Sequence, residues 1–150
     1  MEWHRRLLPM LMLLTALMAG CSAAKKPLST EERQAQQAAA LASQHGISVL
    51  ALRRTADGYM LDFRYQVLDP QRSRAIFSHQ DKPYLIHEAS GRKFAVPSSG
   101  KVGPLRQMPR DPEAGRNYFM FFANPAKFVQ SGDLVTVVIG EIRLEHLKVE

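Results

Sequence analysis

Four basic side chains in the segment from residue 97 to residue 117 could bind anions. The segment also holds four prolines and three glycines, which disfavour a regular helix or strand. Long loops inside a compact domain are often functional, and arginine can hold a carboxylate or phosphate through two parallel hydrogen bonds. The sequence therefore predicts a binding loop with the contact residues Lys101, Arg106, Arg110 and Arg116. Alternatively, residues 102–107 form a short edge strand that prolines and charges protect from aggregation.

Histidine and methionine side chains offer a second kind of chemistry, because imidazole and thioether groups bind copper. None of them has a close ligand spacing such as His-x-His or Met-x-x-Met. No resident metal or other cofactor is therefore predicted. A copper site is kept as an alternative, with the candidate ligands His79, His87, Met108 and Met120. A simpler interpretation needs no metal: His79 lies in a loop, His87 lies on an exposed strand face, and the methionines fill gaps in the core.

The single cysteine of the chain, Cys21, follows a segment with the features of an export signal. Arg5 and Arg6 precede a largely apolar run, and the small residues Ala19 and Gly20 come directly before the cysteine. The apolar run is about a dozen residues long, whereas a helix needs roughly 20 to cross a bilayer. Residues 1–20 are therefore predicted to be a signal peptide.

The sequence Leu17-Met18-Ala19-Gly20-Cys21 resembles the lipobox of bacterial lipoproteins, with methionine in place of the usual first leucine. The resemblance implies cleavage before Cys21, a diacylglyceryl group on its thiol and a further acyl chain, such as palmitate, on its amino group. Two or three chains give stable membrane anchoring. Lipidation also accounts for a cysteine that has no partner for a disulfide. The alternative is an ordinary secreted protein, cut near Ala19 or Ala23, with a free thiol.

The first residues after the predicted cleavage site indicate how the protein is attached and in which membrane. Residues 21–28 are mostly small or basic and are expected to form a lipid-anchored tether. In lipoproteins of the enterobacterial type an aspartate after the cysteine favours the inner membrane, so Ser22 implies the outer membrane, facing the periplasm. After residues 1–20 are removed, 18 Lys and Arg stand against 13 Asp and Glu, a formal charge of +5. The expected partners are an envelope protein or an anionic polymer, and nucleic acid is not expected.

A helix is predicted over residues 29–46. Ser29 and Glu32 have the spacing of a capping box, and Gly46 is a suitable C-terminal stop. The apolar stripe of this helix consists mainly of alanine and is shallow, which predicts light packing.

Residues 47–150 show the period-two alternation of strands, and Asp57-Gly58 is a strong hairpin signal. In the second strand, Tyr59 and the following odd-numbered residues are expected to face the core, and Asp62 to face water. A bend or bulge is expected at Gly140. The seven predicted strands are 47–54, 59–68, 84–88, 93–96, 118–122, 134–139 and 142–149. Their number and spacing predict a single antiparallel immunoglobulin-like β-sandwich, although an open barrel gives a similar pattern.

Two blocks of the chain, residues 58–70 and 122–125, resemble blocks in small exported proteins of an uncharacterised family, a likeness that implies no activity. No complete phosphate-binding loop and no Gly-x-Ser-x-Gly motif occurs, so an enzyme is not predicted. The favoured function is a non-catalytic binding or assembly module of the cell envelope, anchored to a membrane. A copper-handling lipoprotein is the first alternative, and an envelope hydrolase is the less favoured one. The sequence does not predict an oligomeric state.

Overall fold

The computed structural model describes residues 29–150, which are mainly β, with 40% strand. The predicted signal peptide, Cys21 and the tether lie outside the described residues. The elements are α1 (Thr30–His45), β1 (Ile47–Thr55), β2 (Met60–Val67), α2 (Pro70–Ser73), β3 (Tyr84–His87), β4 (Lys93–Ala95), β5 (Ser98–Ser99), β6 (Gly103–Pro104), β7 (Asn117–Ala123), β8 (Leu134–Ile139) and β9 (Ile142–Lys148).

Helix α1 begins and ends at the predicted residues. Ser29 accepts a hydrogen bond from the backbone of Glu32, and the side chain of Glu32 accepts one from the backbone of Ser29. Gly46 ends the helix with φ 63°, and a side chain there would come within 2.7 Å of the Asp69 carbonyl oxygen. Only glycine combines that backbone conformation with so close a neighbour. Leu41 alone is buried among the helix residues, so the packing is light, as predicted.

The strands form three antiparallel sheets within residues 29–150. The strand order is β1-β2-β7 in one sheet and β4-β3-β8-β9 in another, and β5 and β6 form a two-stranded hairpin. Buried residues from both larger sheets belong to one hydrophobic core, which includes Leu61 and Phe63 from β2 and Val135 and Val137 from β8. All seven predicted strands are present with nearly the predicted bounds. The predicted antiparallel, mainly β architecture is therefore confirmed.

The hairpin predicted at Asp57-Gly58 is present, but Tyr59 lies in its turn and not in the strand, where it was predicted. Ala56, Asp57 and Gly58 all have positive φ, and the last strand pair is Thr55 with Met60. Tyr59 consequently belongs to the turn and is 54% exposed, with the Lys127 ammonium 4.9 Å from its ring centre. The prediction that Tyr59 faces the core is wrong, because the turn consists of residues 56–59 and is longer than a two-residue hairpin turn.

The prediction for Asp62 is also wrong. The odd-numbered β2 residues from Leu61 to Val67 are buried as expected, but Asp62 on the opposite face is only 3% exposed. Arg64 Nε and Arg53 Nη2 lie 2.8 Å and 3.4 Å from its carboxylate, and Phe121 is its partner across the sheet. Long side chains on the same strand and on the neighbouring strands thus cover a short acidic one, which strand alternation does not reveal.

A β-bulge interrupts the pairing of β8 with β9. Val135 pairs with Leu147 and Val137 pairs with Leu144, so two residues on β9 stand opposite the single residue Thr136. One of the two is His146, whose φ is 56°. The bulge therefore lies within the strand pair, whereas the sequence placed it at Gly140, which instead belongs to the turn between β8 and β9.

The carboxylate of Glu88 stabilises this bulge. It accepts hydrogen bonds from the Thr136 hydroxyl at 2.8 Å and the His146 backbone at 2.8 Å, and His146 Nδ1 lies 3.0 Å away. Burial by itself would raise the pKa of Glu88, but these hydrogen bonds together lower it below its ordinary value.

We expect replacing Glu88 by glutamine to reduce the loss of stability in acid. A carboxylate with a lowered pKa in the folded state stabilises the fold above its unfolded pKa, and this contribution disappears as the pH falls through the folded pKa. Denaturant unfolding at about pH 7 should show a loss of about 1–2 kcal/mol for Glu88→Gln, with a smaller difference from the parent at about pH 3. Glu145→Gln, an exposed change on β9, is the control. Equal losses at both pH values would contradict the role given to Glu88.

Candidate functional site

The segment from residue 97 to residue 117 contains more regular structure than the predicted loop. Strands β5 and β6 form a small hairpin with Lys101 and Val102 at its tip. The next residues run antiparallel to β7, where Arg106 bridges to Met120 and Gln107 donates a backbone hydrogen bond to Phe119. The alternative of an edge strand is therefore correct for residues 105–107.

The four basic residues of the predicted binding loop have different environments. Lys101 and Arg110 are exposed. Arg116 is exposed, forms an ion pair with Glu113 at 2.7 Å and lies over the ring of Tyr118. Arg106 is only 9% exposed, so the four predicted contact residues do not form one exposed set. The pairing of residues 105–107 with β7 turns the Arg106 side chain inward.

Arg106 lines a cavity of about 560 Å³ next to this edge strand. The cavity has a cationic part and an apolar part, and a single carboxylate also lines it. Its lining residues are His79, Asp81, Lys82, Pro83, Ala95, Val96, Ser98, Pro104, Arg106 and Met108. Ligand sites of ordinary size have volumes of about 300–1,000 Å³ and combine apolar walls with a few polar groups. The volume and lining of this cavity fit that description.

The guanidinium of Arg106 is fixed on one side only. Its Nη2 atom donates to the carbonyl oxygens of Ser78 at 2.8 Å and Asp81 at 2.9 Å. The Nε and Nη1 atoms are buried and have no hydrogen-bond partner within residues 29–150. Since buried polar groups are nearly always hydrogen-bonded, this incomplete pairing is unusual for an arginine.

Burial is the main electrostatic influence on this site. It lowers the pKa of Arg106 below its ordinary value, and the neighbouring Tyr65 and Asp81 oppose that shift. Burial also raises the pKa of the Tyr65 hydroxyl, which likewise has no hydrogen-bond partner among the described residues. A cation in such surroundings attracts an anion more strongly than an exposed one, because little solvent screens it.

The four candidate copper ligands fall into two groups. His79 and Met108 line the cavity together. Met120 is buried on β7 with 1% exposure, in agreement with its interpretation as core filling. His87 is 9% exposed, so its predicted place on an exposed strand face is wrong.

The two ring nitrogens of His87 already have polar neighbours. Nδ1 lies 2.8 Å from the Ser90 hydroxyl, and Nε2 lies 3.3 Å from the Asp133 carboxylate. Its ring also packs edge-on against Phe128, with 5.3 Å between the centres. These contacts make His87 part of the packing between β3 and the segment that precedes β8.

Between α2 and β3, sequence reasoning named His79 as a candidate copper ligand but did not predict a role for the neighbouring cavity residues Asp81 and Lys82. Asp81 and Lys82 lie just before β3, where no motif marks them. Their position beside Arg106 depends on pairing across the fold, since the Asp81 carbonyl accepts a hydrogen bond from a residue 25 positions later. The only available signal was Pro83, which marks the start of a strand.

No family model matches the chain, and neither the curated proteins nor the solved structures contain a match. No helix between residues 29 and 150 is both long and apolar enough to cross a membrane. Within the same residues, no group of three or more His, Cys, Asp or Glu side chains could hold a metal ion.

Proposed function

We propose that this protein is an envelope lipoprotein that acts as a non-catalytic binding or assembly module. In this proposal, lipids on Cys21 anchor it to the outer membrane and the domain faces the periplasm. The observation that carries the binding function is the cavity of about 560 Å³ lined by Arg106, in the region that the sequence singles out as unusual. The export signal and the lipobox resemblance support the location.

We further propose that the domain is an immunoglobulin-like sandwich. The orders β1-β2-β7 and β4-β3-β8-β9 support this, because they correspond to strands A-B-E facing C′-C-F-G. The segment 124–133 also supports it by joining a strand of one sheet to a strand of the other, as such connections do. Sandwiches of this kind commonly bind through loops at the ends of their sheets.

The tip of the β5–β6 hairpin is the proposed contact with a larger partner. Val102 is 72% exposed there, next to the exposed Lys101. An exposed apolar side chain beside a cation suits an acidic protein surface or an anionic polymer with apolar substituents.

Photocrosslinking in intact cells tests the contact surface directly. A photoreactive residue at Val102 is expected to give a discrete crosslinked product. The same residue at Ala89, exposed in the turn at the far end of β3, is the matched control and is expected to give none. Substituting Lys101 and Arg110 with alanine should weaken the Val102 product without unfolding the domain. Equal labelling from both positions would argue against a specific contact at the hairpin.

We expect the mature protein to begin with a lipid-modified Cys21. Mass spectrometry of membrane-fraction protein should find an N-terminal peptide that starts at this residue and carries a diacylglyceryl group. Cys21→Ser removes the thiol that takes the lipid, so the protein should accumulate as an uncleaved precursor. A mature chain that begins near Ala23 and is released from membranes would contradict the anchoring proposal.

A copper-handling role is the second candidate, because His79 and Met108 line the same cavity. Two ligands are fewer than a tight copper site usually has, so we expect Cu(I) binding to be weak under competition by a chelator. His79→Ala and Met108→Leu are the informative variants, with His45→Ala as the control. Stoichiometric, sub-micromolar binding that both variants abolish would favour copper over the binding module.

A further inference from the structure

We propose that the outer face of the β1-β2-β7 sheet binds a short segment of another protein that carries carboxylate and apolar side chains. This face is turned away from the core, and its central residues are Arg53, Asp62, Arg64, Phe119 and Phe121. The inference goes beyond the proposed function, because it assigns a contact surface that includes neither the Arg106 cavity nor the tip of the β5–β6 hairpin.

The first argument is a pair of arginines that a single carboxylate holds together. Arg53 pairs with Asp62 across the sheet, and Arg64 follows Asp62 on the same face of β2. Oδ2 of Asp62 lies 3.4 Å from Arg53 Nη2 and 2.8 Å from Arg64 Nε. The Asp62 side chain is only 4% exposed, whereas the two arginine side chains are 52% and 46% exposed. The buried acid therefore restricts the position of two guanidiniums that a ligand can reach.

Most hydrogen-bond donors of these two guanidiniums are still available. Each arginine has five N–H groups. Within residues 29–150, the contact with Asp62 is the only hydrogen bond that either side chain forms. A ligand carboxylate would meet donors whose positions are already restricted, so less side-chain entropy would be lost on binding.

The charge of the face indicates an acidic occupant. Two guanidiniums stand against one carboxylate, and their neighbours on the same face carry no charge. These neighbours are Ala51, Met60, Gln66, Asn117 and Ala123. A second copy of the chain, placed face to face, would bring two more arginines against the first two, and like charges disfavour that pairing. The charge therefore favours an acidic partner over self-association.

Two phenylalanine rings provide the apolar part of the face. Phe121 pairs with Asp62 across the sheet, and Phe119 pairs with Arg64. The two ring centres are 5.1 Å apart, and both residues are only partly buried. Arginine and aromatic residues are enriched at protein interfaces, and arginine is common among the residues that contribute most to binding. A segment with acidic and apolar side chains matches both parts of the face, whereas a bare anion would leave the rings without a contact.

The size of the face favours a short segment over a whole domain. From a rise of about 3.3 Å per residue and a strand spacing of about 4.8 Å, the face is about 26 Å long and about 14 Å wide. Its area of about 360 Å² is well below the roughly 800 Å² that each partner contributes to a stable interface between folded proteins. An extended peptide of about five to seven residues covers most of its length.

Two capped peptides test the inference. The acidic probe is acetyl-Glu-Ala-Phe-Ala-Glu-amide, whose acidic and aromatic side chains lie on one side of an extended chain. The neutral probe has glutamine in place of both glutamates. Each would be titrated into the full chain, kept in a neutral detergent, while the Arg Nε–H and Phe ring signals are followed by nuclear magnetic resonance.

We expect the acidic peptide to shift the signals of Arg53, Arg64 and Phe121. It should bind about fivefold more tightly than the neutral peptide at low salt, as expected for contacts with exposed cations. About 0.5 M salt should remove most of that difference. Replacing the phenylalanine of the acidic peptide by alanine should weaken its binding without altering the protein.

Variants separate the face from general attraction to cations. Arg53→Gln leaves the closer pair of Arg64 with Asp62 in place and should weaken binding of the acidic peptide about threefold. Arg143→Gln is the matched control, because Arg143 is 51% exposed and pairs with Glu145 but lies on β9, in the other large sheet. It should change nothing. Equal wild-type affinities for the acidic and neutral peptides would overturn the proposal, as would equal losses in the two variants.

Two further measurements identify other occupants. Signals of Arg53 and Phe121 that shift with protein concentration alone would show that the face binds a second copy. Inorganic phosphate that produces the same shifts at the same concentration as the acidic peptide would show a general anion site. Either result overturns the acidic segment. Failure of this inference differs from failure of the proposed function, since a lipidated protein that crosslinks at Val102 but binds neither peptide loses only this surface.

Discussion

Replacing Phe63 by alanine is expected to lower the free energy of unfolding by about 3–5 kcal/mol, the usual range for a fully buried aromatic ring. Phe63 is 0% exposed at the centre of β2, and its ring stacks on that of Tyr65 at 5.4 Å between centres. The change would leave a cavity where the buried faces of the two large sheets share one core. Chemical denaturation followed by circular dichroism measures the loss.

Phe119→Ala is the matched control for this prediction. Phe119 lies on β7, is only partly buried and contacts Phe121 on the same face. Its removal is expected to cost about 1 kcal/mol, because part of the ring is already in contact with water. Equal losses for the two variants would mean that the core is not where the structure places it.

The second large effect is expected at Asn124, which is 0% exposed. Its Nδ2 donates to the carbonyl oxygens of Gly58 at 2.9 Å and Val129 at 3.0 Å, and its Oδ1 accepts from the Val129 backbone at 2.9 Å. Asn124→Ala would leave these three backbone groups buried without partners. We expect a loss of about 3 kcal/mol, since each such group costs about 1–3 kcal/mol and the costs are not fully additive.

Two further variants test the cause of that loss. Asn124→Asp places a carboxylate oxygen against two carbonyls, which raises the pKa of the new side chain. Its destabilisation should therefore grow as the pH rises from the unfolded pKa to the raised folded pKa, stay constant above that, and shrink in acid, where the protonated group can donate. Asn117→Ala removes an exposed amide from the other end of β7 and should change stability by less than about 0.5 kcal/mol. A pH-independent effect of Asn124→Asp would contradict the hydrogen-bond assignment.

Asn124 also shows which features a local sequence pattern predicts and which it does not. Asn-Pro followed by an apolar pair and Ser-Gly-Asp predicts a corner between sheets, and residues 124–133 do connect β7 to β8. The buried position of Val129 fits that prediction. The hydrogen bond from Asn124 to Gly58 does not follow from the pattern, because it joins residues 66 positions apart.

The candidate site was predicted in part. Proline, glycine and arginine content marked residues 97–117 as unusual, and the segment does contain the arginine that lines the cavity. Arg106 and Arg110 are both arginines in this segment, and nothing in the local sequence distinguishes them. Arg106 is nevertheless buried, whereas Arg110 is exposed. The difference arises because residues 105–107 pair with β7. This pairing depends on the backbone groups of a distant strand, so the local sequence does not predict it.

The sequence by itself predicted helix α1 and the seven main strands, which the structure confirms, and it predicts export and lipidation at Cys21, which lies outside the described residues. The capping box, the hairpin signal and the period-two alternation act between residues close in the chain, so they can be read without knowing the fold. The tertiary structure decided the surroundings of Asp62, His87 and Arg106, because residues on other strands or segments contribute to the burial of each of them. Burial of a polar group depends on what covers it, and the covering residues come together only when the strands pair and the segments between them pack.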